Sequence, residues 1–306
     1  MYCDITHQPL KNLYLIDLDQ PCVGFRKFIS SWFYRKDGKS VLVDPGPSSS
    51  VTILLDALTS LGVERLDYIL ITHIHIDHVG GLGYLLKRYP EAVVVCHPQV
   101  IRHLVDPSKL WKGSLAVLGA LAEMYGEIEP VPAANLVPEL FLKADGLEIE
   151  GIKTPGHASH HVCYRLGDLL FVGEVAGVTY PLEAGLYLRI ASPARFDYEQ
   201  YRESVLKVAA IDVSHYCFAH YGYRRGGGGG REIFRSAVNQ LDLWLEIVEK
   251  HRRRGSEPFE DAVFNEILQK DRAMALFDNL PPDIQERERY FSHNSIKGMR
   301  NYLSRC

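Results

Sequence analysis

The sequence predicts an α/β fold, because short apolar segments alternate with segments of helical periodicity and Gly or Pro separates them. The chain has 306 residues, of which 46% are hydrophobic and 24% are charged, and this balance is typical of a globular protein with a real core. These values exclude a disordered or collagen-like chain. The length suits one large domain or two small ones.

The first half of the chain reads as strands and helices bounded by turns. The apolar and aromatic segment 28–34 predicts a strand, and Asp37-Gly38 predicts a hairpin turn because these residues tolerate positive φ. The same reasoning predicts strands over 40–43, 66–71 and 92–96 and helices over 51–61 and 82–89.

The second half changes from mixed structure to helix. A helical pattern over 100–126 is broken by Pro107, and Pro281-Pro282 marks a break between later helices. Strands are predicted over 147–152, 162–165, 169–172 and 216–219, and helices over 232–253, 259–276 and 295–303. We therefore predict a domain over residues 1–225, with a helical insert near 100–126, and a C-terminal helical extension over 231–306.

The glycine run Gly226–Gly230 is interpreted as a flexible loop. A phosphate-binding loop needs a strand that leads directly into the glycines and a Lys-Ser/Thr pair after them, whereas Arg231-Glu232 follows here.

Charge and composition limit the partners. The net charge of −4, from 34 basic and 38 acidic residues, argues against a protein that coats nucleic acid. No apolar run approaches the roughly 18 residues that span a bilayer, so no membrane partner is expected. The beginning of the chain has no apolar signal region, and the six cysteines form no C-x-x-C pair. We therefore expect reduced thiols and a cytoplasmic protein.

The segment 72–81 carries the clearest chemical pattern. Three histidines and an aspartate fall within six residues after a predicted buried strand: His73, His75, Asp77 and His78. In an extended segment the first three point the same way, and His78 turns to the other side as the next helix begins. Imidazole and carboxylate are ligands that Zn²⁺ prefers, so the pattern favours a metal site over a loop of solvated histidines.

This H-x-H-x-D-H motif resembles that of the metallo-β-lactamase superfamily. Four further segments resemble family motifs in the expected order: Val43–Gly46, Thr154–His157, Leu170–Glu174 and Phe218–Gly222. The similarity spans residues 12 to 222. It implies a four-layer αββα sandwich with a two-metal cleft at one edge of the sheets, which the C-terminal helical extension would follow.

The resemblance also implies the roles of individual residues. His73, His75 and His157 would bind one ion, Asp77, His78 and His220 would bind a second ion, Glu174 would bridge the two, and Asp44 would support the site. Hydroxide between ions about 3.5–4 Å apart would be the nucleophile. Asp77 could orient it and relay a proton. Two divalent ions are expected, with Zn²⁺ preferred and Fe or Mn as alternatives.

The sequence departs from the family pattern at Glu174, where most relatives carry Asp. Its carboxylate reaches about 1.5 Å further, the length of one carbon–carbon bond. It could bridge both ions, bind one, or hydrogen bond to a ligand. His75 stands where the oxygen-reducing di-iron relatives usually carry Glu, and this favours a hydrolytic enzyme.

Three weaker candidates surround the motifs. His160 or His161 could hydrogen bond to substrate or to a ligand carboxylate, with a surface position as the alternative. Arg189 could hold an anionic substrate group, with a salt bridge as the alternative. The helical insert around Trp111 could be ordinary core or a wall over the metals.

The predicted function is metal-dependent hydrolysis of a small ester, thioester or lactone-like molecule. The alternatives are a phosphodiesterase or nuclease of the same fold, a mononuclear-iron sulfur dioxygenase, and a binding module without catalysis. A small-molecule substrate is the expected partner. The apolar faces of the C-terminal helices leave two options open, namely packing on the same chain or a homodimer through helical regions.

Overall fold

The computed structural model describes residues 6–144 and 146–305. Compact packing divides the chain into two units. The first contains the chain up to Ile152 together with Val162–Phe171, and the second contains Lys153–His161 and the chain from Val172 onward. The mixture of strands and helices confirms the predicted α/β class. The predicted domain boundary between residues 225 and 231 stays a prediction.

A seven-stranded sheet lies in the first unit, and its strands follow one another in chain order. Neighbouring strands are antiparallel up to the fourth and parallel from there on. The predicted hairpin turn is present, with φ of 51° at Asp37 and 78° at Gly38. The strands are β1 (Thr6–Leu10), β2 (Leu13–Asp17), β3 (Ser30–Lys36), β4 (Lys39–Val43), β5 (Tyr68–Leu70), β6 (Val93–Val95) and β7 (Leu136–Val137).

Six helices accompany these strands in the described part of the first unit. The segment predicted as helical over 100–126 forms three of them, broken at Pro107 as expected and again at Gly119, whose φ is 55°. The helices are α1 (Val51–Ser60), α2 (Ile76–Val79), α3 (Leu82–Arg88), α4 (Ile101–Val105), α5 (Ser108–Leu118) and α6 (Ala120–Tyr125).

The remaining strands form a six-stranded sheet and a two-stranded ribbon. They are β8 (Phe141–Ala144), β9 (Leu147–Lys153), β10 (Val162–Leu166), β11 (Leu169–Gly173), β12 (Val178–Leu182), β13 (Gly185–Arg189), β14 (His215–Phe218) and β15 (Gly222–Arg225). The sheet has the order β15-β14-β11-β10-β9-β8, and β12 pairs with β13. The sequence analysis predicted the strands near β9, β10, β11 and β14, and it missed β8, β15 and the ribbon.

The described part of the second unit contains four α-helices: α7 (Tyr198–Ala209), α8 (Gly228–Arg254), α9 (Phe259–Lys270) and α10 (Pro282–Leu303). The loop predicted for the glycine run is wrong in part, because Gly228–Gly230 form the first turn of α8. The last helix begins at Pro282 rather than at Ser295, since proline suits the first turn of a helix. Trp244, Phe264 and Ile296 are fully buried among these helices.

Two expectations from composition can be compared with the described residues. Cys22, Cys96 and Cys217 are free thiols, and burial raises the pKa of Cys96 to about 12. Cys3 and Cys306 lie outside the described residues. None of the helices in the described chain combines the length and the apolar character needed to cross a bilayer.

Candidate metal centre

The first set of predicted ligands lies at the turn between β5 and α2. We call His73, His75, Asp77 and His78 the His73 cluster. His75 keeps extended backbone, with φ of −64° and ψ of 145°, and α2 begins directly after it. His73 and His78 are buried, whereas the side chain of Asp77 is 18% exposed. The strand end and the short helix therefore hold four donor side chains in one turn.

The atoms of the His73 cluster have spacings that suit a metal ion. His73 Nε2 lies 2.9 Å from His75 Nδ1, and His78 Nε2 lies 3.6 Å from the Asp77 carboxylate. Two ligand atoms that bind one tetrahedral ion at 2.0–2.1 Å are separated by roughly 3.3 Å. The cluster is therefore compact enough for its members to share ions.

Asp44 supports the His73 cluster from the end of β4. It accepts hydrogen bonds from the Thr72 amide at 2.8 Å and from the Thr72 hydroxyl at 2.6 Å, and its Oδ2 lies 3.1 Å from His78 Nδ1. Because the Thr72 hydroxyl gives its proton to Asp44, it can only accept from His73 Nδ1, which lies 3.0 Å away. His73 and His78 therefore carry their protons on Nδ1 and present Nε2 as the donor atom for a metal.

The second set of predicted ligands lies in the second unit. We call His157, Glu174 and His220 the Glu174 cluster; all three are buried, and each follows the end of a strand, namely β9, β11 and β14. Glu174 Oε2 lies 3.0 Å from His157 Nε2, and Oε1 lies 3.5 Å from His220 Nε2. The two oxygens of this carboxylate therefore face two different histidines.

Groups next to the Glu174 cluster fix its orientation. His157 Nδ1 donates to the Ala191 carbonyl at 2.9 Å, which leaves Nε2 as the donor atom for a metal. The Glu174 amide donates to His161 Nε2 at 3.1 Å, so the proton of His161 lies on Nδ1 and donates to Thr154 at 2.8 Å.

The carbonyl of Glu174 is held as well, because it accepts a hydrogen bond from the Tyr201 hydroxyl at 3.0 Å. Burial, with the nearby Glu174 charge, raises the pKa of Tyr201 well above its usual range, so this phenol stays a neutral donor. Gly156, next to His157, has φ of 132°, and a Cβ there would lie 2.1 Å from Tyr201 Cα. No residue with a side chain fits this close approach.

The structure brings the seven predicted ligands into two groups. The His73 cluster lies in the first unit and the Glu174 cluster in the second, and each is described by its own contacts above. Imidazole and carboxylate donors in this number suit Zn²⁺, Fe or Mn.

The weaker candidates take other positions. Arg189 is buried and its Nε donates to Glu288 at 2.6 Å, so the structure places it in a buried ion pair rather than in an exposed site for a substrate anion. Burial opposes the charge of Glu288, but Arg189 and Arg287 hold the pKa of this carboxyl below its usual value. His161 contacts the Glu174 backbone, as described above, and His160 beside it is half-buried.

The sequence analysis missed the groups that support the second set of ligands. The Ala191 carbonyl carries no side-chain pattern, and Glu288 lies 99 residues from Arg189. Tyr201 has the only partial signal, since an aromatic residue at a buried helical position can lie beside a site.

Comparison with known proteins defines the class. The model of the metallo-beta-lactamase superfamily matches residues 24–220, and the chain belongs to this superfamily. The solved structure of an archaeal superfamily protein, ST1585 from Sulfolobus tokodaii, has a TM-score of 0.70 at 23% identity and covers 95% of this chain and 99% of that one. TTHA1429 from Thermus thermophilus has a TM-score of 0.64 at 19% identity, covering 97% and 95%. These likenesses confirm the predicted αββα fold class.

Proteins that are similar in sequence indicate the class of enzyme. The metallo-beta-lactamase fold-containing protein ST1585 of Sulfurisphaera tokodaii is 32% identical over 190 residues, which are 60% of this chain and 69% of that protein. The hydroxyacylglutathione hydrolase of Shewanella halifaxensis is 32% identical over 145 residues, which are 47% of this chain and 45% of that enzyme. The match thus spans less than half of that hydrolase. The prediction of a metal-dependent hydrolase is confirmed at the level of enzyme class.

Proposed function

We propose that this protein hydrolyses a small ester, thioester or lactone-like substrate with two divalent metal ions, preferably Zn²⁺ and otherwise Fe or Mn. The observation that carries the proposal is the position of Glu174. Its two oxygens lie 3.0 Å from His157 Nε2 and 3.5 Å from His220 Nε2, and the family resemblance assigns these two histidines to different ions. This supports the bridging role among the three roles that the sequence left open for Glu174.

Bound ions would lower the pKa of a coordinated water towards about 7 and polarise the carbonyl oxygen under attack. The chain's own residues fit such ions. His73, His78 and His157 each have Nδ1 engaged with an oxygen atom, so Nε2 is the donor atom that remains for coordination. Burial of these rings keeps water from competing for the hydrogen bonds that orient them.

Asp77 is the residue that we assign to proton transfer. It lies in the first turn of α2, and its side chain is 18% exposed. Five of the other predicted ligands are buried, namely His73, His78, His157, Glu174 and His220. From this position Asp77 would orient the attacking water and carry a proton to the leaving group.

The substrate class follows from chemistry and from the names of relatives. A relative named hydroxyacylglutathione hydrolase favours a thioester among the three substrate types. The net charge of −4 gives no reason to expect long nucleic acid as substrate. The small-molecule partner, a homodimer through helical regions and a cytoplasmic location stay predictions.

Metal analysis of natively expressed protein, followed by a panel of esters, thioesters, lactones and phosphodiesters, tests the proposal. We expect about two ions per chain and turnover of a small ester or thioester, with a KM that changes little with salt. His75→Ala should lose metal and hydrolysis together. One iron per chain with oxygen uptake would replace the hydrolase by a sulfur dioxygenase, and turnover without any bound ion would contradict the mechanism.

Glu174→Asp tests the bridging role directly. His161 and Tyr201 hold both backbone groups of residue 174, so a shorter carboxylate would end about 1.5 Å short of its partners. We expect the bound metal to fall from about two ions to about one per chain, measured by elemental analysis. Glu199→Asp, on the exposed face of α7, is the matched control and should keep the wild-type content. Full metal content in Glu174→Asp would contradict a bridge by this side chain.

A further inference from the structure

We propose that the C-terminal helices α8 and α10 set the geometry of His157 by clamping the backbone segment that accepts its Nδ1 proton. The inference rests on the proposed function only in that His157 binds a metal ion. It gives the C-terminal helices a defined role, which is to position His157 through hydrogen bonds to the backbone around Ala191.

The first link is the hydrogen bond from His157 Nδ1 to the Ala191 carbonyl, at 2.9 Å. An imidazole ring whose Nδ1 donates to a fixed acceptor can rotate little about χ2. The direction in which Nε2 points therefore follows the position of the Ala191 carbonyl. The carbonyl in turn is fixed by the peptide groups of its neighbours, Ile190 and Ser192.

One hydroxyl of α10 holds both neighbours of Ala191. Ser295 Oγ accepts from the Ser192 amide at 3.3 Å and lies 3.3 Å from the Ile190 carbonyl, to which it donates. The Ser192 hydroxyl donates back to the Ser295 carbonyl at 3.1 Å. All these groups are buried, so water does not replace the bonds when they are lost.

Gln240 of α8 holds the same segment from a second helix. Its Oε1 accepts from the Ile190 amide at 2.5 Å, and its Nε2 donates to the Leu188 carbonyl at 3.0 Å. The second proton of Nε2 goes to Asp271 at 2.7 Å, and Asp271 also accepts from Trp244 at 2.7 Å. The amide of Gln240 is therefore fully oriented and acts as a rigid support for the segment.

The helix α10 lies so close to the segment that the two must move together. A Cβ on Gly298 would lie 2.0 Å from the Ser192 carbonyl oxygen and 2.8 Å from the Pro193 carbonyl oxygen. Any displacement of α10 at this point therefore displaces the backbone on the C-terminal side of Ala191, and with it the acceptor of His157.

Ser295→Ala tests the clamp, and α10 offers a matched control. Ser292 lies on the same helix and is fully buried, and its hydroxyl has no hydrogen-bond partner among the described residues. We expect Ser295→Ala to raise the dissociation constant for Zn²⁺, measured by competition with a chromophoric chelator, by about tenfold. The visible spectrum of the Co²⁺-loaded protein should change in the same variant, whereas Ser292→Ala should match the wild type in both measurements.

Gly298→Ala is the second variant, because it keeps every hydrogen-bonding side chain and uses a new Cβ to move α10 away from the segment. We expect a similar rise in the Zn²⁺ dissociation constant. Wild-type affinity and spectrum in Ser295→Ala would overturn the inference, as would equal losses in Ser295→Ala and Ser292→Ala. If the wild type itself binds no Zn²⁺, Fe or Mn, the proposed function fails; if it binds and Ser295→Ala binds equally well, only this inference fails.

Discussion

The His73 cluster and the Glu174 cluster offer the same chemistry but are built in different ways. The first occupies six consecutive residues and is supported by Asp44 and Thr72, at the ends of two neighbouring strands. The members of the second are spread from residue 157 to residue 220 and are oriented by the backbone of Ala191 and by His161 and Tyr201. Local sequence therefore builds one cluster, whereas long-range packing builds the other.

This difference predicts which substitutions should affect each cluster. The support of the Glu174 cluster continues through Ser295 and Gln240 into helices that the family model does not cover. A change in those helices should affect His157 and leave the short connections of the His73 cluster intact.

Deletion of residues 232–306 should have the largest effect. It removes Gln240, Ser295 and Glu288 together and uncovers the side chains that pack on them, so we expect insoluble protein. The soluble fraction and size-exclusion profile, compared with the full chain expressed in parallel, measure the outcome. A soluble, monomeric and active truncation would show that the Glu174 cluster needs none of these helices.

Glu288→Gln should have the next largest effect, because it leaves Arg189 and Arg287 buried with a neutral partner. Glu288 bonds to Arg189 at 2.6 Å and to Arg287 at 2.9 Å, and all three side chains are almost fully buried. Breaking a buried ion pair on one side costs about 3–5 kcal/mol of the free energy of unfolding, which urea titration measures. Glu249→Gln is the control, since its partners Arg252 and Arg253 are exposed, water screens this ion pair, and its loss should change the free energy of unfolding little. Equal losses in the two variants would contradict a special role for the buried pair.

The same pair has a pH dependence with a defined sign. The pKa of Glu288 is held below its usual value, so its contribution to stability is complete above the unfolded pKa of about 4.3 and is lost as pH falls through the lower folded pKa. The urea midpoint of the wild type should therefore fall more steeply below about pH 4.3 than that of Glu288→Gln. If the urea midpoints of the two proteins fell in parallel with pH, the Glu288 carboxyl would not contribute to the pH dependence of stability.

The sequence predicted the parts of the site that local pattern determines. Spacing alone indicated the His73 cluster, and the turn residues Asp37-Gly38 predicted the β3–β4 hairpin. The other ligands came from motifs that resemble those of a known family. In each case the pattern that made the prediction possible consists of residues close together in the chain.

The parts that the sequence did not predict depend on contacts between distant residues. The Ala191 carbonyl has no residue-specific signature, and the Arg189–Glu288 pair joins residues 99 positions apart. Glycine has low helix propensity, so the run before Arg231 indicates a loop, yet the packing of the residues that follow extends α8 back to Gly228.

Asp44→Asn should have the smallest effect, because it tests a local support. The new amide keeps the shape of the side chain, but one oxygen that accepted from Thr72 and His78 becomes a nitrogen that cannot accept. We expect a rise of about tenfold in the Zn²⁺ dissociation constant, equivalent to about 1.4 kcal/mol, with Asp56→Asn on the exposed face of α1 as control. The Co²⁺ spectrum should change in a different way from that of Ser295→Ala, because a different set of ligands moves. Identical spectra for the two variants would mean that both supports act on one shared geometry, and the contrast between a local and a long-range cluster would fail.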